Sequence, residues 1–219
     1  MMALLFVLMI SLDCLAQTKK TSETREALLT TVAKDEANAN WRSRFISYGP
    51  SAVPLITKEL LQLLREGASD EAVREPAFSL MPLLDQKRAK QQAALIELQG
   101  IALNNMTLEF KMRDAAKNSI YQALQSPYEF ARLTAISVAT YAIGREAEDH
   151  IIPLLNDSEQ SNRVVVAQML SLIGDSRTAD KMEEVLKRRR EELTAKQIAE
   201  DWSLADAAQA IKELRSKKR

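Results

Sequence analysis

Ser126-Pro127-Tyr128-Glu129-Phe130-Ala131-Arg132-Leu133-Thr134-Ala135, carried on through Ala142-Ile143-Gly144 to Leu154-Leu155, is followed by a degraded copy of itself. In the copy, Arg163 is followed by Val166 at +3, then by Leu170, Ile173 and Gly174, and after a turn the run ends at Val185-Leu186. Arg132 and Arg163 lie 31 apart, as do Leu155 and Leu186, while Gly144 and Gly174 lie 30 apart, so the match slips by one residue inside the copy. A fixed period in this range, built from two helical segments per unit, is the mark of a helical solenoid array.

Composition agrees with an all-α chain. Of 219 residues, 46% are hydrophobic and 27% charged, enough for one domain with a sizeable core or a repeat array of similar mass. Only five Gly and six Pro are present, aromatics are 5%, and no stretch alternates with the period of two that a strand requires. Thirty basic and thirty acidic side chains cancel, so there is no global field to hold a polyanion, and nucleic acid is not expected as a partner.

Residues 1–16 stand apart. The apolar run from Met1 to Ile10, broken by Ser11 and Asp13, ends Cys14-Leu15-Ala16 before Gln17, with small residues at −3 and −1 of a cleavage point between Ala16 and Gln17. That is a signal-peptide pattern, too short to span a bilayer, and it predicts an exported protein, periplasmic or secreted, whose mature domain covers 17–219 without cysteine. Read otherwise, the same run would be a buried N-terminal helix. Asp13 argues against a lipid anchor on Cys14.

Beyond Gln17 the chain reads as helix after helix. A long segment ends at Tyr48, where Gly49-Pro50 stops it; Val53, Ile56, Leu60, Leu63 and Leu64 then recur at helical spacing. A helix over about 70–84 carries Arg74, Pro76 and Pro82, with a kink or break expected near the prolines. Others are expected over 89–103 and from Thr107, the latter carrying Met112, Ala115, Ala116, Ile120 and Ala123. The best-formed repeats are 126–156 and 157–190. Thr194 is expected to cap a short helix, and Ser203 with Asp206 to cap a last one over 203–216, whose apolar face is Leu204, Ala207, Ala208, Ile211 and Leu214. Val164 to Ile173 is apolar at nearly every angle, as a helix covered on all sides would be.

The run from Asn156-Asp157-Ser158 through Arg163-Val164-Val165-Val166-Ala167 to Ile173-Gly174-Asp175 resembles a HEAT repeat of the short type found in phycobilin lyases. Gly49 to Leu64, Val73-Arg74 with Ala77, Met112-Arg113 with Ala116, and the last helix are similar more weakly. The resemblance implies a right-handed α-solenoid of about five helical hairpins, roughly nine to eleven helices. It also implies that a polar residue and an Arg six residues later form a structural ladder along the stack. Asp157 with Arg163, Ser126 with Arg132, and Thr107 with Arg113 keep that spacing, and Arg74 is a further candidate. Arg113 and Arg132 are only 19 apart, too close for a helix pair, so one helix lacks its partner or the array changes phase near Leu124.

No reactive constellation stands out. His150 is the only histidine and reads as a surface residue; a phosphate loop, nucleophile elbow or paired-Cys metal site is missing from the sequence, and no catalytic residue, cofactor or metal is expected. Lys187 to Arg190 reads as a solvated helix end, and Trp41 and Trp202 as shields for the ends of the core. The expected function is that of a non-catalytic scaffold or adaptor binding a protein partner on one helical face, without membrane contact once the leader is removed. The alternative is a HEAT-like enzyme or enzyme accessory, resembling a phycobilin lyase or a DNA glycosylase.

Overall fold

The structure, a computed structural model, describes residues 45–68 and 83–217, and among these every regular element is helical. The leader, Ala16, Gln17, Trp41 and Arg74 lie outside the described residues.

Gly49 takes φ 68°, in the left-handed region that glycine tolerates, and lets a helix ending at Tyr48 turn into a short 3-10 segment, Pro50–Ala52. Helix α1, Val53–Ala68, follows with Pro54 in its first turn, where the missing N–H is not needed. Val53, Ile56, Leu60 and Leu64 form its buried stripe. Helix α2, Leu83–Asn105, is longer at both ends than the sequence pattern indicated, and Leu83 and Leu84 open it. Helix α3 is Phe110–Ala123: Thr107 stands in the connection, and Glu109 occupies the position before the first helical residue.

Helix α4, Glu129–Val138, widens into a π turn over Ala139–Ile143 and stops at Gly144, whose φ of 72° again needs a glycine. Its partner segment is not one regular helix. It runs as 3-10 turn Gly144–Ala147, helix α5 Glu148–Ile151, and 3-10 turn Ile152–Asn156. Pro153 accounts for the break, since it cannot donate to an α-helical ladder. The second copy is more regular, with α6 Gln160–Ile173 and α7 Ser176–Glu192. Two shorter elements close the chain, α8 Ala195–Glu200 and α9 Ser203–Ser216.

The helices pack in two rows. Helix α4 lies between α2 and α6, and α6 between α4 and α9; on the other side α3 packs against α1 and α2, while the Ile152–Asn156 turn bridges α6 and α7. This resolves the short spacing between Arg113 and Arg132, because Arg113 belongs to the second helix of one pair and Arg132 to the first helix of the next. Gly100 lets the first row close up: a Cβ there would stand 2.7 Å from Cγ1 of Val138. The core between the rows is continuous, with Leu95, Ile96, Ile120, Ile136, Ile151, Leu155, Val166, Leu170, Met182 and Leu214 all buried.

Several details depart from the sequence pattern. Ser203 is not a cap but the first residue of α9; the carboxylate of Asp201 accepts its N–H instead. Ala208 is exposed and Ala210 takes its place on the buried face. Leu172, within the run expected to be covered on all sides, is exposed. Trp202 is exposed rather than shielding an end of the core, because its neighbours Asp201 and Ser203 both point inward.

Candidate functional site

Of the residues singled out in the sequence, Arg132, Asp157 and Arg163 come together in a line of buried hydrogen bonds that crosses the first row of helices. At Arg132, Nε and Nη2 donate to the Asp157 carboxylate at 2.7 and 2.9 Å, and Nη1 donates to the carbonyls of Ser126 and Pro127 at 2.9 and 3.1 Å. Nη2 also reaches Ser158 Oγ at 3.4 Å, so all five guanidinium N–H groups have acceptors. One repeat later the pattern recurs. Arg163 Nη1 donates to the carbonyls of Asp157 and Ser158 at 2.7 and 3.0 Å, Nη2 to Asp201 at 3.1 Å, and Nε to Ser203 Oγ at 3.0 Å. In each copy the guanidinium satisfies two carbonyls that precede a helix and so have no ladder of their own.

The line continues in both directions. Ser126 Oγ donates to Gln92 Oε1 at 2.7 Å, and Gln92 Nε2 donates to the Leu63 carbonyl at 3.0 Å, which ties α4 to α2 and α2 to α1. Ser126, Asp157 and Asp201 are three versions of one device. Each side-chain oxygen accepts the backbone N–H two residues on, from Tyr128 at 3.2 Å, Glu159 at 2.8 Å and Ser203 at 3.2 Å, and so fixes the entry into the next first-row helix.

Asp201 escapes a reading by period, since it stands 44 residues after Asp157, not 31. The inserted residues hold α8, which Thr194 and Gln197 start with reciprocal capping bonds. The signal available was local: Asp201-Trp202-Ser203 repeats the spacing of Asp157-Ser158-Glu159. No Arg stands six residues after Asp201; Arg189 of α7 supplies the missing cation, with Nε and Nη2 at 3.0 and 2.8 Å from Asp201 Oδ2 and Nη1 at 2.9 Å from Asn156. Burial alone would raise the Asp201 pKa, but the Ser203 hydroxyl, Arg189 and Arg163 outweigh it and hold the carboxyl at about 2. Arg189 is thus one residue of the basic run that is not solvated.

Arg113 takes a different place. Its Nη1 lies 3.5 Å from the Leu103 carbonyl at the end of α2, inside its own helix pair.

A second series of ion pairs lies at the surface, two of them within the other row and one joining α7 to α9. Lys117 of α3 meets Glu146 at 2.6 Å, Lys181 of α7 meets Asp149 at 2.5 Å, and Arg215 of α9 meets Glu183 at 2.6 Å. Arg145 pairs with Asp175, the residue that caps α7, and this bond holds the Asp175 carboxyl at about 2. His150 is exposed and stacks on Tyr121, ring centroids 3.7 Å apart. Burial, then the Glu146 carboxylate, raise the Tyr121 hydroxyl above its ordinary pKa.

Among the described residues no cluster of His, Cys, Asp and Glu could hold a metal ion, and no helix is long and apolar enough to cross a membrane. Large apolar side chains do reach solvent: Phe110 is 77% exposed, Tyr141 67% and Leu172 57%. Tyr141 and Leu172 are 31 apart, the interval that separates Arg132 from Arg163. Between α7 and α9 lies an open groove of about 920 Å³ with Leu186, Ala208 and Ile211 along it and charged residues on both sides.

Comparison with known proteins finds no matching family model, no matching curated protein and no matching solved structure. The arrangement itself binds helix to helix, and its most distinctive chemistry, two buried guanidiniums, is already taken up by the protein's own carboxylates, hydroxyls and backbone carbonyls.

Proposed function

We propose that this chain is a non-catalytic HEAT-like α-solenoid, a right-handed stack of about five helical hairpins, that acts outside the cytoplasm as a scaffold for a protein partner. The observation that carries the reading is the repetition of one bonding pattern: Arg132 to Asp157 and Arg163 to Asp201, each guanidinium also holding two carbonyls ahead of its own helix. Such a pattern sets the spacing of successive helix pairs. A stack with fixed spacing offers a partner a rigid, extended surface at little ordering cost.

The outward residues favour binding as the use of that surface. Tyr141 and Leu172 hold apolar area in water in the last turns of two successive first-row segments, where neither serves the core.

A photo-crosslinking amino acid placed at Tyr141 or Leu172 in the exported protein is expected to trap one discrete partner, while the same probe at Lys196, an exposed residue of α8, traps none. Equal labelling from all three positions, or a salt-sensitive affinity for DNA, would overturn the scaffold reading. The exported location has its own test: protein recovered from cells should begin near Gln17, and soluble cytoplasmic protein with Met1 intact would contradict it.

A further inference from the structure

We infer that the groove between α7 and α9 is a self-association surface that receives α7 of a second copy of this chain in an antiparallel, two-fold arrangement. The inference goes beyond the scaffold reading and does not rest on it.

The groove is walled by two helical stripes. On α7 the wall is Asp180, Glu183, Glu184, Lys187, Arg190 and Glu191, one face of the helix at spacings of three and four. On α9 it is Ala208, Ile211, Lys212 and Arg215. Arg215 pairs with Asp180 and Glu183, so α9 runs antiparallel to α7 and its end lies beside the acidic half of the groove. Leu186 and Ile211 form an apolar floor.

Charge is segregated along the α7 wall. Its N-terminal half is acidic, with Asp180 and Glu183 on Arg215 and Glu184 on Arg188; its C-terminal half carries Lys187 and Arg190 beside the single acid Glu191, and these two cations have no hydrogen-bond or ion-pair partner among the described residues. From Asp180 to Arg190 the wall is about 15 Å long, the span of almost three helical turns. A helix with the reverse order of charge is the complement of this wall, and the same α7 turned end for end has that order. Two-fold docking sets the acidic half of each copy against Lys187 and Arg190 of the other, and the contact is isologous and closes on itself, so it ends at a dimer rather than a fibre. Parallel docking would set like charge on like. The apolar floor is small and the charge pairs are exposed, so the association is weak and falls as salt is raised.

The test is sedimentation of the full chain over a range of concentrations at low and high salt, with two charge variants. Asp180→Lys with Glu184→Lys makes the wall basic; Lys187→Glu with Arg190→Glu makes it acidic. All four residues are solvent-exposed, and thermal melts by circular dichroism confirm folding. Wild type is expected to dimerise at low salt, each variant alone to weaken self-association by about tenfold or more, and an equimolar mixture of the two to restore a dimer. Wild type that stays monomeric at every concentration would overturn the inference. So would variants that dimerise as wild type does, or a mixture of folded variants that stays monomeric.

Discussion

Asp157 serves two arginines at once: its carboxylate holds Arg132 of the preceding helix pair at 2.7 and 2.9 Å, and its backbone carbonyl holds Arg163 of its own helix at 2.7 Å. One residue therefore couples two repeats, and removing its charge leaves a buried guanidinium without its counterion. Breaking a buried pair from one side costs about 3–5 kcal/mol, far more than the pair contributes relative to apolar replacements. Asp157→Ala is expected to destabilise by that order in urea unfolding. Arg145→Ala, which loses the solvent-exposed pair with Asp175, is expected to cost far less. Equal effects of the two substitutions would show that the buried line of bonds carries no special weight.

Acid should weaken the C-terminal part of the helical fold through Asp201. Its folded pKa, about 2, lies below the ordinary 3.8, so the unfolded chain takes up the proton first. The stability it contributes is fully present above 3.8 and is lost as pH falls toward 2. Asp175 has the same window through Arg145. Urea midpoints measured across this range should therefore fall steeply in wild type. Asp201→Asn is less stable at neutral pH, but its slope with acid should be shallower, because one of the depressed carboxyls no longer titrates. An unchanged slope would mean that Asp201 is not held ionised by Arg163 and Arg189.

What the sequence made legible follows from where information is local. The helices with unbroken spacing of three and four, α1 and α3, stand where periodicity puts them apart from the first turn of α3, because burial of one stripe decides them. The spacing of Arg132 and Arg163 was equally plain, and both arginines lie buried in equivalent bonds. Asp201 was not legible, since a 44-residue gap containing α8 hides its kinship with Asp157. Nor was the inward turn of Arg189, as four consecutive cations look alike until the helix phase against α9 is known. Trp202 shows the converse limit: a large apolar residue suggests the core, but its two neighbours had already taken the inward positions.

Asn162 is the one position in α6 where the core works against itself. It is fully buried, and both Oδ1 and Nδ2 are without a hydrogen-bond partner. Ala131, 31 residues earlier, occupies the same position in the first copy and is apolar. An unsatisfied buried amide costs about 1–3 kcal/mol, so Asn162→Leu, which keeps the branching at Cγ but is bulkier, is expected to raise stability by up to that amount, less the cost of any overpacking. Chemical denaturation of the two proteins decides this. A lower midpoint for the Leu variant would show that the amide has a role worth its desolvation.

The first-row contact between α2 and α4 depends on the absence of one side chain. A Cβ at Gly100 would stand 2.7 Å from Val138 Cγ1, closer than two carbons pack, and Gly100 is fully inside α2, where an alanine would otherwise be the better helix former. The helix gain from Gly100→Ala, about 1 kcal/mol at most, competes with a clash whose relief requires Val138 to leave its rotamer or the helices to separate. Overpacking of this kind costs about 1–3 kcal/mol, so the single substitution is expected to be destabilising. Val138→Ala alone loses partly buried methyl groups packed against the core and should also destabilise. The double variant removes the clash and keeps the helix gain, so its loss should be smaller than the sum of the two single losses by about 1 kcal/mol or more, a coupling a thermodynamic cycle reads directly. Strict additivity would mean that α2 and α4 do not meet at this pair.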